Sequence, residues 1–146
     1  MVTASPRRRE EVTALLAWAS GWAHRRGDVA GLLLVGSWAR DAARDDSDVD
    51  MILLSDDPTL YNAALLTAQE PLTSLIANRV WGPVTEWRFR SKSGLEIELG
   101  VASPEWARTS PVDAGTRRVV SDGVRTLYDP RGLIADLIAE CAPTDS

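Results

Sequence analysis

The chain has 146 residues and is poor in several residue types, and each scarcity narrows what it can do. It has one cysteine, Cys141, and one histidine, His24. A single thiol closes no internal disulfide, and no Cys/His cluster exists to hold zinc. Lysine occurs only at Lys92 while arginine is abundant, a codon bias that points to a GC-rich bacterial genome. Basic residues number 16 and acidic ones 21, for a formal net charge of −5. With no basic surplus to release counterions from a phosphate backbone, nucleic acid is not an expected partner, and neither is an anionic membrane. No apolar run approaches the ~18 residues of a membrane span, and the start carries no secretory pattern. A cytoplasmic protein is expected. What is present is ordinary globular usage, 45% apolar and 25% charged, over a length suited to one domain spanning 1–146.

The informative stretch runs from Gly36 to Leu54. An apolar run, Leu32-Leu33-Leu34-Val35, stops at Gly36-Ser37, and Trp38 to Ala43 is compatible with a short helix. Asp45-Asp46-Ser47 then turns into a second apolar run that carries Asp48 and Asp50. Side chains two apart on a strand share a face, so these two carboxylates are aimed together. They repel each other unless a cation lies between them or one takes a proton. Oxygen-only ligands of this kind suit Mg²⁺. Gly36 permits a tight turn whose backbone N–H groups, with the Ser37 hydroxyl, make a seat for an anion. Arg40 and Arg44, four apart on the expected helix, either meet that anion or pair with Asp41, Asp45 or Asp46. A calcium loop starting at Asp46 is excluded, because Met51 and Asp57 stand where glycine and glutamate are required.

The rest of the chain supplies the frame. Residues 1–8 read as an irregular start. Val12, Leu15, Leu16, Ala19, Trp22 and Ala23 mark an amphipathic helix from about Glu10 to Arg26. Gly31 to Val35 reads as a central strand, Thr59 to Gln69 as a helix, and Pro71 as the start of another with Leu72, Leu75 and Ile76 buried. A hairpin joins Val84–Arg90 to Leu95–Val101. A three-residue loop, Lys92-Ser93-Gly94, is the length that opposes Arg90 to Glu96 and Arg88 to Glu98 and keeps apolar and charged sets on separate faces. A helix over 115–121, a strand over 124–128 and a helix over 132–141 close the chain.

The order strand, Gly36-Ser37, ten residues, Asp48-Val49-Asp50 on the next strand resembles the nucleotidyltransferase superfamily of DNA polymerase β type in its minimal form, over about residues 30–101. The resemblance implies an α/β (α+β) fold: a mixed β-sheet with helices mainly on one face and the site on the open one. It implies two Mg²⁺ ions, a nucleoside triphosphate substrate and transfer of the nucleoside monophosphate to a hydroxyl, with release of pyrophosphate. It also implies a third acid on the strand beside the Asp-x-Asp strand, with Glu98 preferred to Glu96. The catalytic and metal set is then Asp48, Asp50 and Glu98, with Gly36, Ser37, Arg40 and Arg44 toward the phosphates. Arg88 and Arg90 stand on the acceptor side or pair with Glu98 and Glu96. Three acceptor readings stay open. One is a small hydroxylated molecule such as an antibiotic, bound by the chain alone or by a homodimer. The second resembles the minimal nucleotidyltransferase antitoxins, which act on a partner with a higher-eukaryote-and-prokaryote nucleotide-binding (HEPN) domain. The third is a catalytically silent binding module.

Overall fold

The structure, a computed structural model, describes residues 3–142, so the first two residues of the expected irregular start lie outside it. Helix α1 (Pro6–His24) begins earlier than its apolar stripe suggests. Pro6 sits where its missing N–H costs nothing, and the Ser5 hydroxyl accepts from the Arg8 amide at 3.2 Å, so a cap and a preset φ extend the helix into polar sequence. Its buried residues are those of the stripe, Val12, Leu15, Leu16, Ala19, Trp22 and Ala23.

Six strands follow: β1 (Val29–Val35), β2 (Val49–Ser55), β3 (Leu75–Trp81), β4 (Val84–Arg90), β5 (Glu96–Ala102) and β6 (Val124–Tyr128). They form one mixed sheet in the order β3-β4-β5-β2-β1-β6. Only β2 and β5 run parallel; every other neighbouring pair is antiparallel. The remaining helices are α2 (Ala63–Thr67), α3 (Ala114–Ser121) and α4 (Leu133–Cys141).

Alternation along β2 and β5 sorts the core. Met51, Leu53, Ile97 and Leu99 join α1 on one face, together with Phe89 from β4. Leu54 and Ala102 join Trp106, Val120, Ile134 and Leu137 on the other, beneath α3, α4 and the 3-10 turn Pro104–Ala107. The sheet flanked by helices matches the expected α/β architecture. The acidic residues Asp50 and Glu98 lie on this second face, on the same side of the sheet as α3 and α4.

Three expectations are corrected. Leu75 to Trp81 is an edge strand, not a continuation of a helix from Pro71. Only Leu72 of the three apolar residues is buried, in a 3-10 turn, while Ile76 is exposed. Gly82, at φ +54, opens the two-residue loop that folds β3 onto β4. The helix expected over Thr59–Gln69 is reduced to one 3-10 turn and the five residues of α2. The helix expected from Ser37 is a non-helical turn: Asp41 takes φ +56, a conformation Asp tolerates, and the Ala42 amide reaches back to the Ser37 carbonyl at 2.9 Å. The hairpin register is as read, with Arg90 opposite Glu96, Arg88 opposite Glu98, and Gly94 at φ +89 in the loop.

Candidate active site

The centre of the site is a row of residues across four strands. β4, β5, β2 and β1 place Arg88, Glu98, Asp50 and Val35 side by side, because Arg88 opposes Glu98, Glu98 pairs with Asp50, and Asp50 pairs with Val35. The parallel register therefore separates Glu98 from Glu96: Glu98 adjoins Asp50, whereas Glu96 lies two residues back. Asp48, Asp50 and Glu98 each offer a carboxylate oxygen, and these oxygens lie within 4.8 Å of one another. Around a Mg²⁺ ion neighbouring oxygens are about 3.0 Å apart and opposite ones about 4.2 Å, so the three carboxylates would have to draw inward to close on such an ion. Three hard oxygen donors with no nitrogen or sulfur among them are also the right chemistry for it.

The cage already faces a cation. Arg88 Nη1 donates to Asp48 Oδ2 at 2.8 Å and to Glu96 Oε1 at 3.5 Å, and Nη2 donates to Glu98 Oε2 at 2.6 Å. The expected pairing of Arg88 is thus present and extends to Asp48. Arg90, further out, comes only within 4.0 Å of Glu96 and is half exposed.

Burial dominates the electrostatics. It pushes the Asp50 carboxyl up to about 6, with Asp48 adding to the rise and Arg88 opposing it. Burial likewise pushes Glu98 up to about 7, helped by the Glu86 carboxyl it meets as a hydrogen-bond partner and by Asp50. The carboxylate of Asp48 in turn holds the Arg88 guanidinium more firmly protonated than usual. Without a divalent cation this is a site in which negative charge is held at a cost.

The Gly36-Ser37 turn lies against the same spot. Gly36 has φ +76, and a Cβ there would stand 2.5 Å from Asp50 Oδ2. Only a residue without a side chain lets the backbone pass this close to the acid. The hydrogen bonds within the turn use the amides of Ala39, Arg40 and Ala42; among the described residues none uses those of Ser37 or Trp38. Trp38 Nε1 donates to the Ser47 carbonyl at 3.2 Å, and Ala4 and Ser5 donate to the Ala43 carbonyl and to Asp45, so the loop is tied down at both ends.

Because no helix joins them, Arg40 and Arg44 part company. Arg40 lies over Gly123, where a Cβ would meet its Cγ at 2.8 Å, and borders a pocket of about 360 Å³ that also takes in Gly36, Asp50 and Glu98. Arg44 points outward, with its Nε 4.0 Å from exposed Asp46, and does not line that pocket. The walls of the pocket include residues that sequence reasoning did not single out: Glu86, Trp81, Trp106 and Asp122. Glu86 was within reach, since it alternates in step with Arg88. Trp81 belongs to the strand misread as helix, and its indole N–H donates to Glu86 Oε2 at 2.7 Å. Trp106 sits in an irregular turn with no periodic signal.

Three acids that could chelate one divalent ion lie beside a Gly-Ser turn on the inner strands of a mixed sheet. Residues 20–99, a little over half of the chain, match the family of nucleotidyltransferase domains, and the chain belongs to that family. The match takes in Gly36, Ser37, Asp48, Asp50 and Glu98. No curated protein matches the chain. Among the described residues no helix is long and apolar enough to cross a membrane.

Proposed function

We propose that the protein is a Mg²⁺-dependent nucleotidyltransferase that moves a nucleoside monophosphate from a nucleoside triphosphate to the hydroxyl of a small acceptor molecule. The observation that carries this reading is the convergence of Asp48, Asp50 and Glu98 within 4.8 Å, with Gly36 packed against Asp50. Asp48, Asp50 and Glu98 would hold the metal, in a two-ion transfer from the triphosphate. Bound there, Mg²⁺ neutralises charge on the triphosphate and lowers the pKa of the acceptor hydroxyl.

The chain's own groups do the rest. The amides of the Gly36-Ser37 turn and the Arg40 guanidinium receive the terminal phosphates. The pocket between Trp81 and Trp106 takes the ring-bearing part of a reactant, its indoles offering flat apolar surface and Glu86 a fixed acceptor. As the acceptor oxygen bonds to the α-phosphorus, the bond from that phosphorus to the bridging oxygen breaks and its electron pair leaves with pyrophosphate. The Glu98 carboxylate takes the hydroxyl proton. Positioning and charge stabilisation supply most of the rate.

Incubation with Mg²⁺ and each α-labelled triphosphate, with hydroxylated small molecules or with a candidate partner protein, tests the reading. Label in a small product supports it. Label on the partner protein moves the acceptor to a macromolecule, and no transfer under any condition removes the enzyme.

A further inference from the structure

We propose that Arg88 is the resident counter-ion of the metal cage, occupying it in the metal-free protein and giving it up when the divalent ion enters. The inference rests on the metal-site reading above and concerns a residue that reading does not require. Arg88 is a positioning residue here.

Its geometry is that of a placeholder. One guanidinium reaches two acids on β5, Glu96 and Glu98, and Asp48 on the segment that leads into β2. Its two terminal nitrogens are spent on Asp48 and Glu98, two of the three residues whose oxygens form the cage. A guanidinium is planar, weakly hydrated and always charged, so it can bridge several carboxylates at once where an ammonium cannot. Its strand position surrounds it with acids: Glu98 faces it directly, Glu96 lies opposite Arg90 two residues on, and Glu86 lies two residues before it on its own face. Without this charge, Asp48, Asp50 and Glu98 would face one another with nothing between them, and the cage would open or take up protons.

A divalent ion coordinated by Asp48 and Glu98 requires the same oxygens that Arg88 now holds, and its charge repels the guanidinium. Entry of the ion and departure of Arg88 are therefore coupled. The arginine keeps the acids gathered in the metal-free chain and, for the same reason, raises the metal concentration needed to fill the site. Once released, it stays on the charged face of β4 beside the cage, where an incoming polyphosphate offers it a new partner.

The test is a Mn²⁺ titration of the full chain, followed by electron paramagnetic resonance of the free ion, for the wild type, Arg88→Gln and Arg88→Lys. Arg88→Gln should bind Mn²⁺ about tenfold more tightly than the wild type, the size expected for removing a charge-assisted competitor. Arg88→Lys, which bridges fewer carboxylates, should fall between the two. If Arg88→Gln does not fold without metal, Arg88→Lys decides by the same comparison. Equal or weaker Mn²⁺ binding by the variants, with the wild type still binding, would overturn the inference and leave the metal site standing. Failure of all three proteins to bind Mn²⁺ at millimolar concentration removes the metal site itself and this role with it.

Discussion

Single side chains decide the chemistry, and two of them make opposite demands on stability. Gly36 has to be glycine for two reasons that act together, its φ of +76 and the 2.5 Å separation between a built Cβ and Asp50 Oδ2. Gly36→Ala should cost about 1–3 kcal/mol in urea unfolding and depress turnover further than that loss of stability explains, because the strain falls on Asp50. Asp50 itself is a cost to the metal-free fold. Its carboxyl is raised from 3.8 to about 6 and that of Glu98 from 4.5 to about 7, so between those values the folded protein binds more protons than the unfolded one. Their contribution to stability is full below about pH 4 and is lost progressively as the pH rises from there through about 6 to 7. In the presence of a chelator, Asp50→Asn should be the more stable protein at pH ~8, by about 1–2 kcal/mol after allowance for solvent screening, and its advantage should be roughly halved at pH ~5. The same variant should lose turnover by about a thousandfold or more, since a neutral amide neither neutralises nor orients the ion. Melting curves at the two pH values check the first statement and a transfer assay the second. Equal melting at pH 8 would mean that burial does not strain the acid.

Elements set where those side chains meet. The hairpin of β4 and β5 was legible because its charged and apolar residues alternate in step, and a three-residue loop was the only length that kept the two sets apart. Arg88 opposite Glu98 follows from that alone. What the hairpin could not reveal was its parallel partner: pairing Glu98 with Asp50 depends on a connection of many residues between β2 and β5, and nothing local encodes it. The resemblance supplied that step. Strand β3 was illegible for a different reason. Leu72, Leu75 and Ile76 fall at helical spacing, and an edge strand whose residues after Leu75 are exposed carries no alternation to contradict it. The composition of the turn after Gly36 permits a helix; a left-handed Asp41 is a tertiary outcome. Helix α3 offers a test at this scale. Its Thr116 is buried, and the hydroxyl donates to the Trp106 carbonyl at 3.1 Å, clamping the helix to the turn that carries one wall of the pocket. Thr116→Val keeps the shape but strands that carbonyl, which should cost about 1–2 kcal/mol in denaturant unfolding. If the clamp matters to the pocket, KM for the reactant seated there should rise with kcat little changed; an unaltered KM would assign the bond to stability alone.

At the scale of the whole molecule the sheet is shared by two apolar layers, α1 on one side and α3 with α4 on the other, and the candidate site lies on the second face beside α3 and α4. Composition anticipated a folded chain with an ordinary core; that α3 and α4 form a second layer on the opposite face from α1 is a tertiary outcome that no local pattern encodes. Because both layers rest on the same strands, we expect the chain to unfold in one transition, with near-ultraviolet and far-ultraviolet circular dichroism superimposable across a denaturant series. Two separate midpoints would mean that one layer melts alone. The acids of the candidate site also predict how the molecule responds to metal: Mg²⁺ should raise the melting temperature more at pH ~8 than at pH ~5, where protons already relieve Asp50 and Glu98.

The central claim is that Asp48, Asp50 and Glu98 jointly hold a divalent cation. Anomalous diffraction from crystals grown with Mn²⁺ and a non-hydrolysable nucleoside triphosphate tests it most directly. The account predicts a peak within about 2.2 Å of an oxygen of each of these three residues, next to the phosphates and the Gly36-Ser37 turn, with the Arg88 guanidinium withdrawn. A triphosphate bound with its ion elsewhere, or Arg88 still bridging Asp48 and Glu98 beneath the bound nucleotide, would contradict it.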